Sequence, residues 1–473
     1  MIETVKSHRI RKIFNLQKDL KGIRRQEKAI RKNNQFHSVS IGFFRKAFNF
    51  LKELLTMYKQ KPAQQYQPQE GTLIGNYGKR EVYVPDEAKH VLVCGTTGSG
   101  KTVALSNFIK NALDNRRPAL IIDGKGDMGA GSLLDIVQRL NQHRRKLYVI
   151  NLSDPARSNK YNPFCGASSA MATDMLINLT EWSEEHYKLN AERYIQRILQ
   201  LLELDKIPLS FRKIIQCMKP ERFTELSNYL LKKELISKEE HADNLELLKT
   251  SGKIAQSSVA RFSTIAESEA GKILSEQGIN IAQALKENAI ILFVLNPMIY
   301  PELSPAFGRL VLIDAKIAIG ELFKSRIPRT FFVLDEISSY ATTALTDLVN
   351  KSRSANVTCV LATQSLSDLD FAVNEAYKEQ IIENCNNYIV LRQNSSVNAE
   401  HWANVLGTRR KMEVTHQLQQ QGLDTSQTGY GSAKPVREYI YHPDDIKSLQ
   451  TGQGIFLSRD TNYHAKIKIH KPF

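Results

Sequence analysis

Cysteine is scarce in this sequence, and no two cysteines sit at the spacing of a metal clip. Cys94, Cys165, Cys217, Cys359 and Cys385 stand apart from one another. An odd number with no C-x-x-C pair argues against a disulfide scaffold or a thiolate zinc site and reads as reduced thiols in a cytosolic protein. Also missing is any run of about 20 apolar residues, the length that crosses a bilayer. The best candidate, SVSIGFFRKAFNFLKELLTMY, is broken by Arg45, Lys46, Asn49, Lys52 and Glu53. There is no short apolar run ending in a small-residue cleavage site, so no signal peptide is expected. Nor is there an acidic excess: the net charge is +16 and the pI about 9.4, which favours an anionic partner such as nucleic acid or an acidic membrane surface.

That positive charge is concentrated at one end. Residues 1–62 hold 16 Lys plus Arg against 4 Asp plus Glu, leaving 49 against 45 in the rest. Within residues 1–60, Phe44, Phe48, Leu51, Leu55 and Tyr58 recur at steps of three and four. This predicts a basic arm with an amphipathic helix, fit to grip DNA or anionic lipid, to dock on a membrane partner, or to pack on its own body. A Gln- and Pro-rich linker is read over 61–74.

Beyond it, KHVLVCG (89–95), PALIIDG (118–124), KLYVINL (146–152), AIILFVLN (289–296), TFFVLDE (330–336), VTCVLATQ (357–364) and YIVLRQ (388–393) are nearly continuous apolar runs. Such runs suit parallel strands covered on both faces, and the helical segments between them make the fold class α/β with a mainly parallel central sheet. Residues 182–272 carry helical periodicity without strands and are read as an all-helical domain inserted between two nucleotide-binding parts, 75–181 and 273–473. The stretch 418–435 reads as a polar loop, and 454–470 as a C-terminal hairpin at a sheet edge.

The chemistry is concentrated in GTTGSGKT: Gly95, Thr96, Thr97, Gly98, Ser99, Gly100, Lys101 and Thr102. Between a strand and a helix, this G-x-x-x-x-G-K-T pattern is a phosphate loop. Its glycines let backbone amides converge on phosphate oxygens, and the helix N-terminus favours negative charge. Lys101 would neutralise the β- and γ-phosphates of ATP, and Thr102 would ligate Mg²⁺. FFVLDE places Asp335 at a strand tip to hold Mg²⁺ through water, and Glu336 beside it to polarise the attacking water. Gln364 ends another strand, either as a γ-phosphate sensor or as a turn residue. Arg353 and Arg392 are candidates for the arginine that a neighbouring subunit offers to the developing charge, or are structural arginines. DGKGD (123–127) reads as a tight loop without an assigned role.

In order and spacing, these segments resemble the type IV coupling proteins, conjugative DNA-transfer ATPases related to the FtsK and HerA translocases. The resemblance rests on KHVLVCGTTGSGKT, ALIIDGKGD, INLSDPARSNKYNPF, FFVLDEISSY, KSRSANVTCVLATQSLSDL, IIENCNNYIVLRQ and REYIYHPDDIKSLQTGQGIFLSR. It implies a RecA-like nucleotide-binding domain with an all-helical insert, and a homo-hexameric ring with ATP sites between subunits. It also implies DNA at the pore, and a relaxase and type IV secretion channel proteins as partners. The missing spanning segment instead points to a cytoplasmic location, with peripheral contact of residues 1–60 at the inner membrane left open. Three departures stand out: no N-terminal transmembrane helices are read, the usual proline of D-P-K-G is Gly124, and the helical insert is short. A HerA-like translocase without a secretion channel, and a protein-cargo receptor that uses ATP as an assembly switch, remain open as alternatives.

Overall fold

The computed structural model describes residues 71–473 apart from 87–88, 143–144, 180–181, 183, 324–327 and 422–423, with the side chains of 270 and 414–433 left aside. The basic arm of residues 1–60 lies outside the described residues.

Eleven strands form one sheet in the order β2-β1-β13-β12-β9-β3-β8-β7-β4-β6-β5. They are β1 (Gly71–Tyr77), β2 (Arg80–Pro85), β3 (Val91–Cys94), β4 (Ala119–Asp123), β5 (Leu147–Asn151), β6 (Ile290–Val294), β7 (Thr330–Asp335), β8 (Val357–Thr363), β9 (Asn387–Val390), β12 (Gln453–Ser458) and β13 (Tyr463–Ile469). From β9 to β5 all neighbours are parallel. Every residue of β3, β4, β6, β7, β8 and β9 is buried, which is why their sequences are unbroken apolar runs. One apolar core covers each face: Phe108 and Ile136 belong to one, Leu310 and Trp402 to the other.

Three segments differ from the sequence reading. The linker ends earlier than expected, because β1 starts at Gly71 and pairs with β2 and β13. The C-terminal hairpin β12–β13 forms, but inside the sheet: β1 and β2 continue beyond it, so β2 is the edge. Residues 418–421 and 424–435 are not a loop. They belong to a separate two-stranded antiparallel ribbon, β10 (Thr408–Gln421) with β11 (Asp424–Tyr439). Apolar alternation is the usual sign of a strand, and a Gln-, Ser- and Gly-rich stretch carries none of it.

Between β5 and β6 the chain makes a helical excursion: Ser169–Ile177, Glu185–Leu204, Phe211–Met218, Pro220–Lys232, Lys238–Leu247 and Lys253–Glu267. Tyr194 packs on Phe223 at 5.2 Å between ring centres, and its hydroxyl donates to the Met218 carbonyl at 3.0 Å. The excursion is closed at its root. Tyr161 donates its amide to Ile273, receives the Ser275 amide, and presents its hydroxyl to Asp314 Oδ2 at 2.6 Å.

Candidate functional site

The site lies along the C-terminal ends of five adjacent strands, where open parallel sheets bind ligands. β3 ends in the phosphate loop, which is fastened to the strand tips on either side. The Gly95 amide donates to Thr363 O at the end of β8 (3.2 Å), and the Thr96 amide to Arg392 O just beyond β9 (3.0 Å). Gly98 (φ 73°) and Gly100 (φ 112°) adopt left-handed backbone that a side chain would strain. Helix Lys101–Asp114 follows directly. Among the described residues, the amides of Gly98, Gly100, Lys101 and Thr102 donate to no protein acceptor, as expected of open donors at a helix N-terminus.

Three strand tips face this loop. Lys101 Nζ donates to Gly95 O at 2.8 Å and lies 3.3 Å from Glu336 Oε1. Gln364 Nε2 donates to the same Glu336 oxygen at 3.1 Å, while its Oε1 accepts from Thr97 Oγ1 at 3.2 Å. The residues expected to act together therefore form a continuous chain of contacts: Thr97, Gln364, Glu336, Lys101. Glu336 is held in left-handed backbone (φ 49°, ψ 51°), a strained state for a non-glycine residue of the kind that collects at functional sites.

Asp335, the residue before Glu336 at the tip of β7, is buried, and its backbone is fixed by the Tyr340 hydroxyl, which donates to Asp335 O at 2.8 Å. Burial pushes its carboxyl up to about 7, with Glu336 and Asp123 adding repulsion. Asp123 stands directly opposite on β4. Its Oδ1 accepts the amides of Lys125 and Gly126, both at 3.0 Å, yet burial still lifts it to about 6. Sequence reading gave this aspartate no role. The available signal was its place at the tip of a buried strand beside the Asp335 strand.

Thr102, Asp123, Lys125, Asp127 and Asp335 line a cavity of about 410 Å³. Converging amides, a lysine and a threonine at a helix start, and carboxylates across a cavity fit a nucleotide with Mg²⁺; Thr102 and Asp335 would hold the metal, with Asp123 behind them. The glycine that replaces the usual proline also has a reason. The Gly124 amide donates to Asp335 O at 3.3 Å, and a Cβ there would lie 2.6 Å from that oxygen.

The two arginines are placed differently. Arg392 sits half-buried beside the phosphate loop of its own chain, with its Nε buried and unpartnered. Arg353 is exposed and precedes β8, at the opposite end of that strand from Gln364, about 20 Å away at the usual rise per residue.

Fold and loop together define a P-loop nucleotide-binding domain on a RecA-like parallel sheet. Residues 81–470 match the family model described as the type IV secretion-system coupling protein DNA-binding domain, and the chain belongs to that family. Over 132 residues it is 31% identical to the type 4 coupling protein DotL of Legionella pneumophila subsp. pneumophila, spanning 25% of this chain and 17% of DotL. It is also 26% identical over 115 residues to an uncharacterized protein of Mycoplasma pneumoniae, covering 19% of this chain and 96% of that one. Among solved structures it is similar in fold to the bacterial conjugative coupling protein TrwBdeltaN70, with a TM-score of 0.60 and 14% identity over 86% of this chain and 90% of that one. VirB4 of Thermoanaerobacter pseudethanolicus is similar with a TM-score of 0.53 and 13% identity, over 86% of this chain and 98% of that one. Among the described residues no helix is long and apolar enough to cross a membrane.

Proposed function

We propose that this chain is an ATP-hydrolysing coupling protein that recruits DNA, alone or with a relaxase, and drives it toward a type IV secretion channel. The observation that carries the reading is the Thr97–Gln364–Glu336–Lys101 chain of contacts across a cleft shared with Thr102 and Asp335. The family model is described as a DNA-binding domain, and the related fold of TrwB has been solved with ADP and Mg²⁺.

In this reading Lys101 and the loop amides hold the phosphates; Thr102 and Asp335 would hold Mg²⁺, which would supply positive charge to the phosphoryl oxygens. With Lys101 engaged by phosphate, Glu336 is released to orient the attacking water and take its proton at the carboxylate. Gln364 bridges Glu336 to Thr97 and so links the state of the γ-phosphate site to the rim of the loop. Arg353 is too far from its own Gln364 to act in cis. It serves a neighbouring copy in a homo-hexamer, while Arg392 supports the loop of its own chain. The basic arm of residues 1–60 supplies peripheral contact with DNA or with the inner membrane.

The test is ATP turnover of the purified protein with and without single- and double-stranded DNA, beside Lys101→Ala. DNA should raise turnover several-fold, and the variant should lose at least about 100-fold, the scale of removing one transition-state charge contact. Turnover indifferent to DNA, or an active Lys101→Ala, overturns the reading.

A further inference from the structure

The ribbon β10–β11 has no place in the nucleotide site, and its construction is unusual. Among the described residues its strands pair only with each other, and the arms reach about 45 Å at the ordinary strand rise. A lone two-stranded ribbon is at best marginally stable in water, so its retention calls for a role outside the protein's own core.

The foot of the ribbon has two chemically different faces. On one, Arg409 and Lys411 both reach Glu438, at 3.7 and 3.1 Å, and neutralise it. On the other, Thr408, Arg410 and Met412 lie opposite Tyr439, Arg437 and Pro435. Arg410 and Arg437 are thus directly opposed, and both are exposed. Like charges in directly opposite positions destabilise a strand pair. No carboxylate among the described residues meets either one; the contact of Arg437 is the Thr408 hydroxyl at 3.4 Å. Arg437 also borders a groove of about 610 Å³ between the foot and helix Ser396–Leu406, whose walls include Asn404, Tyr439 and His442 beside the charged side chains of Lys411, Glu413 and Glu438. An exposed pair of guanidinium groups, one of them in the wall of a groove that also holds an aromatic ring, matches a nucleic-acid backbone and its bases.

Both feet of the ribbon lead to the phosphate loop. On the entry side, the carbonyl of Arg392, which precedes helix Ser396–Leu406, accepts the Thr96 amide. On the exit side, the chain passes through helix Pro443–Lys447 to Thr451 and Gly452. Thr451 Oγ1 donates to Gly98 O at 3.2 Å, and the Gly452 amide to Ser99 O at 3.0 Å. A shift of the ribbon foot therefore pulls on the loop from two sides.

We propose that the foot of the ribbon grips the DNA phosphate backbone through Arg410 and Arg437 and reports that grip to the phosphate loop through Arg392 and through Thr451–Gly452. The proposal rests on the DNA-coupled ATPase reading above and names the surface and the route. Coupling of this kind is reciprocal, so nucleotide also alters affinity for DNA at the ribbon.

The experiment compares the full chain with Arg410→Glu/Arg437→Glu and with a charge-matched control on the body, Arg157→Glu/Arg222→Glu, whose arginines are exposed. Affinity for a fluorescent oligonucleotide is measured against salt, turnover with and without DNA, and binding to anionic vesicles. The ribbon variant should bind DNA at least tenfold more weakly, with a salt slope shallower by about 1.5, the share of two phosphate contacts. It should lose most of the stimulation of turnover by DNA and keep its basal turnover, while the control stays close to the parent. Equal losses in the control, unchanged stimulation in the ribbon variant, or a loss confined to vesicles overturns the proposal. If the parent itself shows no stimulation by DNA, the functional reading fails first, so the two failures are distinguishable.

Discussion

Two buried aspartates show how differently one protein can use the same side chain. Asp314 lies in helix Leu303–Leu322, fully enclosed, with its carboxyl pushed up to about 8 by burial and bonded to the hydroxyl of Tyr161. Asp335 is buried almost as deeply and raised to about 7, but it borders a cavity, Glu336 and Asp123 repel it, and Lys101 attracts it. A protonated acid sealed against a neutral partner ties the root of the helical excursion to the body. A carboxyl held near neutrality at the edge of a cleft, among other charges, is prepared for a cation. Burial alone does not separate the two; the converging charges and the cavity do.

The comparison is sharpened most by exchanging each carboxylate for its amide. Asp335→Asn should lower turnover by about 100-fold or more, since in the proposed function a neutral amide would give up the charge that would hold Mg²⁺. Asp314→Asn, which keeps an oxygen for Tyr161, should leave turnover at a permissive temperature nearly unchanged. Comparable losses in both variants would erase the distinction.

A smaller effect concerns pH. The folded pKa of Asp314 is raised above its unfolded value, so its stabilising share is fully present below about pH 4 and is lost as pH rises toward 8. The loss approaches about 1.4 kcal/mol per pH unit within that window. Asp335 and Asp123 act in the same direction but finish near 7 and 6. Thermal unfolding without nucleotide should therefore show a melting temperature that falls between pH 7 and 8, and Asp314→Asn should flatten that segment. A variant with the parental slope there would contradict the assignment.

What the sequence made legible follows from burial. Central strands such as Thr330–Asp335 and Val357–Thr363 are covered on both faces, so they are written as apolar runs, and their tips point to Asp335 and Gln364. The phosphate loop is legible because its backbone tolerates few residue types. Asp123 was passed over because its meaning lies in its register with Asp335, a long-range pairing that no local pattern encodes. The outer part of the ribbon reads as a loop because its composition carries no apolar period. The hold of Thr451 and Gly452 on the loop joins segments far apart in sequence.

The most direct measurement of the central claim is nucleotide binding beside single-turnover hydrolysis in Glu336→Gln. The amide can still bond to Gln364 and leaves Lys101, Thr102 and Asp335 in place, but it accepts no proton. ATP should bind within a few-fold of the parent while cleavage falls by about 100-fold or more. Cleavage at the parental rate would show that Glu336 does not activate the water, and the mechanism built on its contacts with Lys101 and Gln364 would fall.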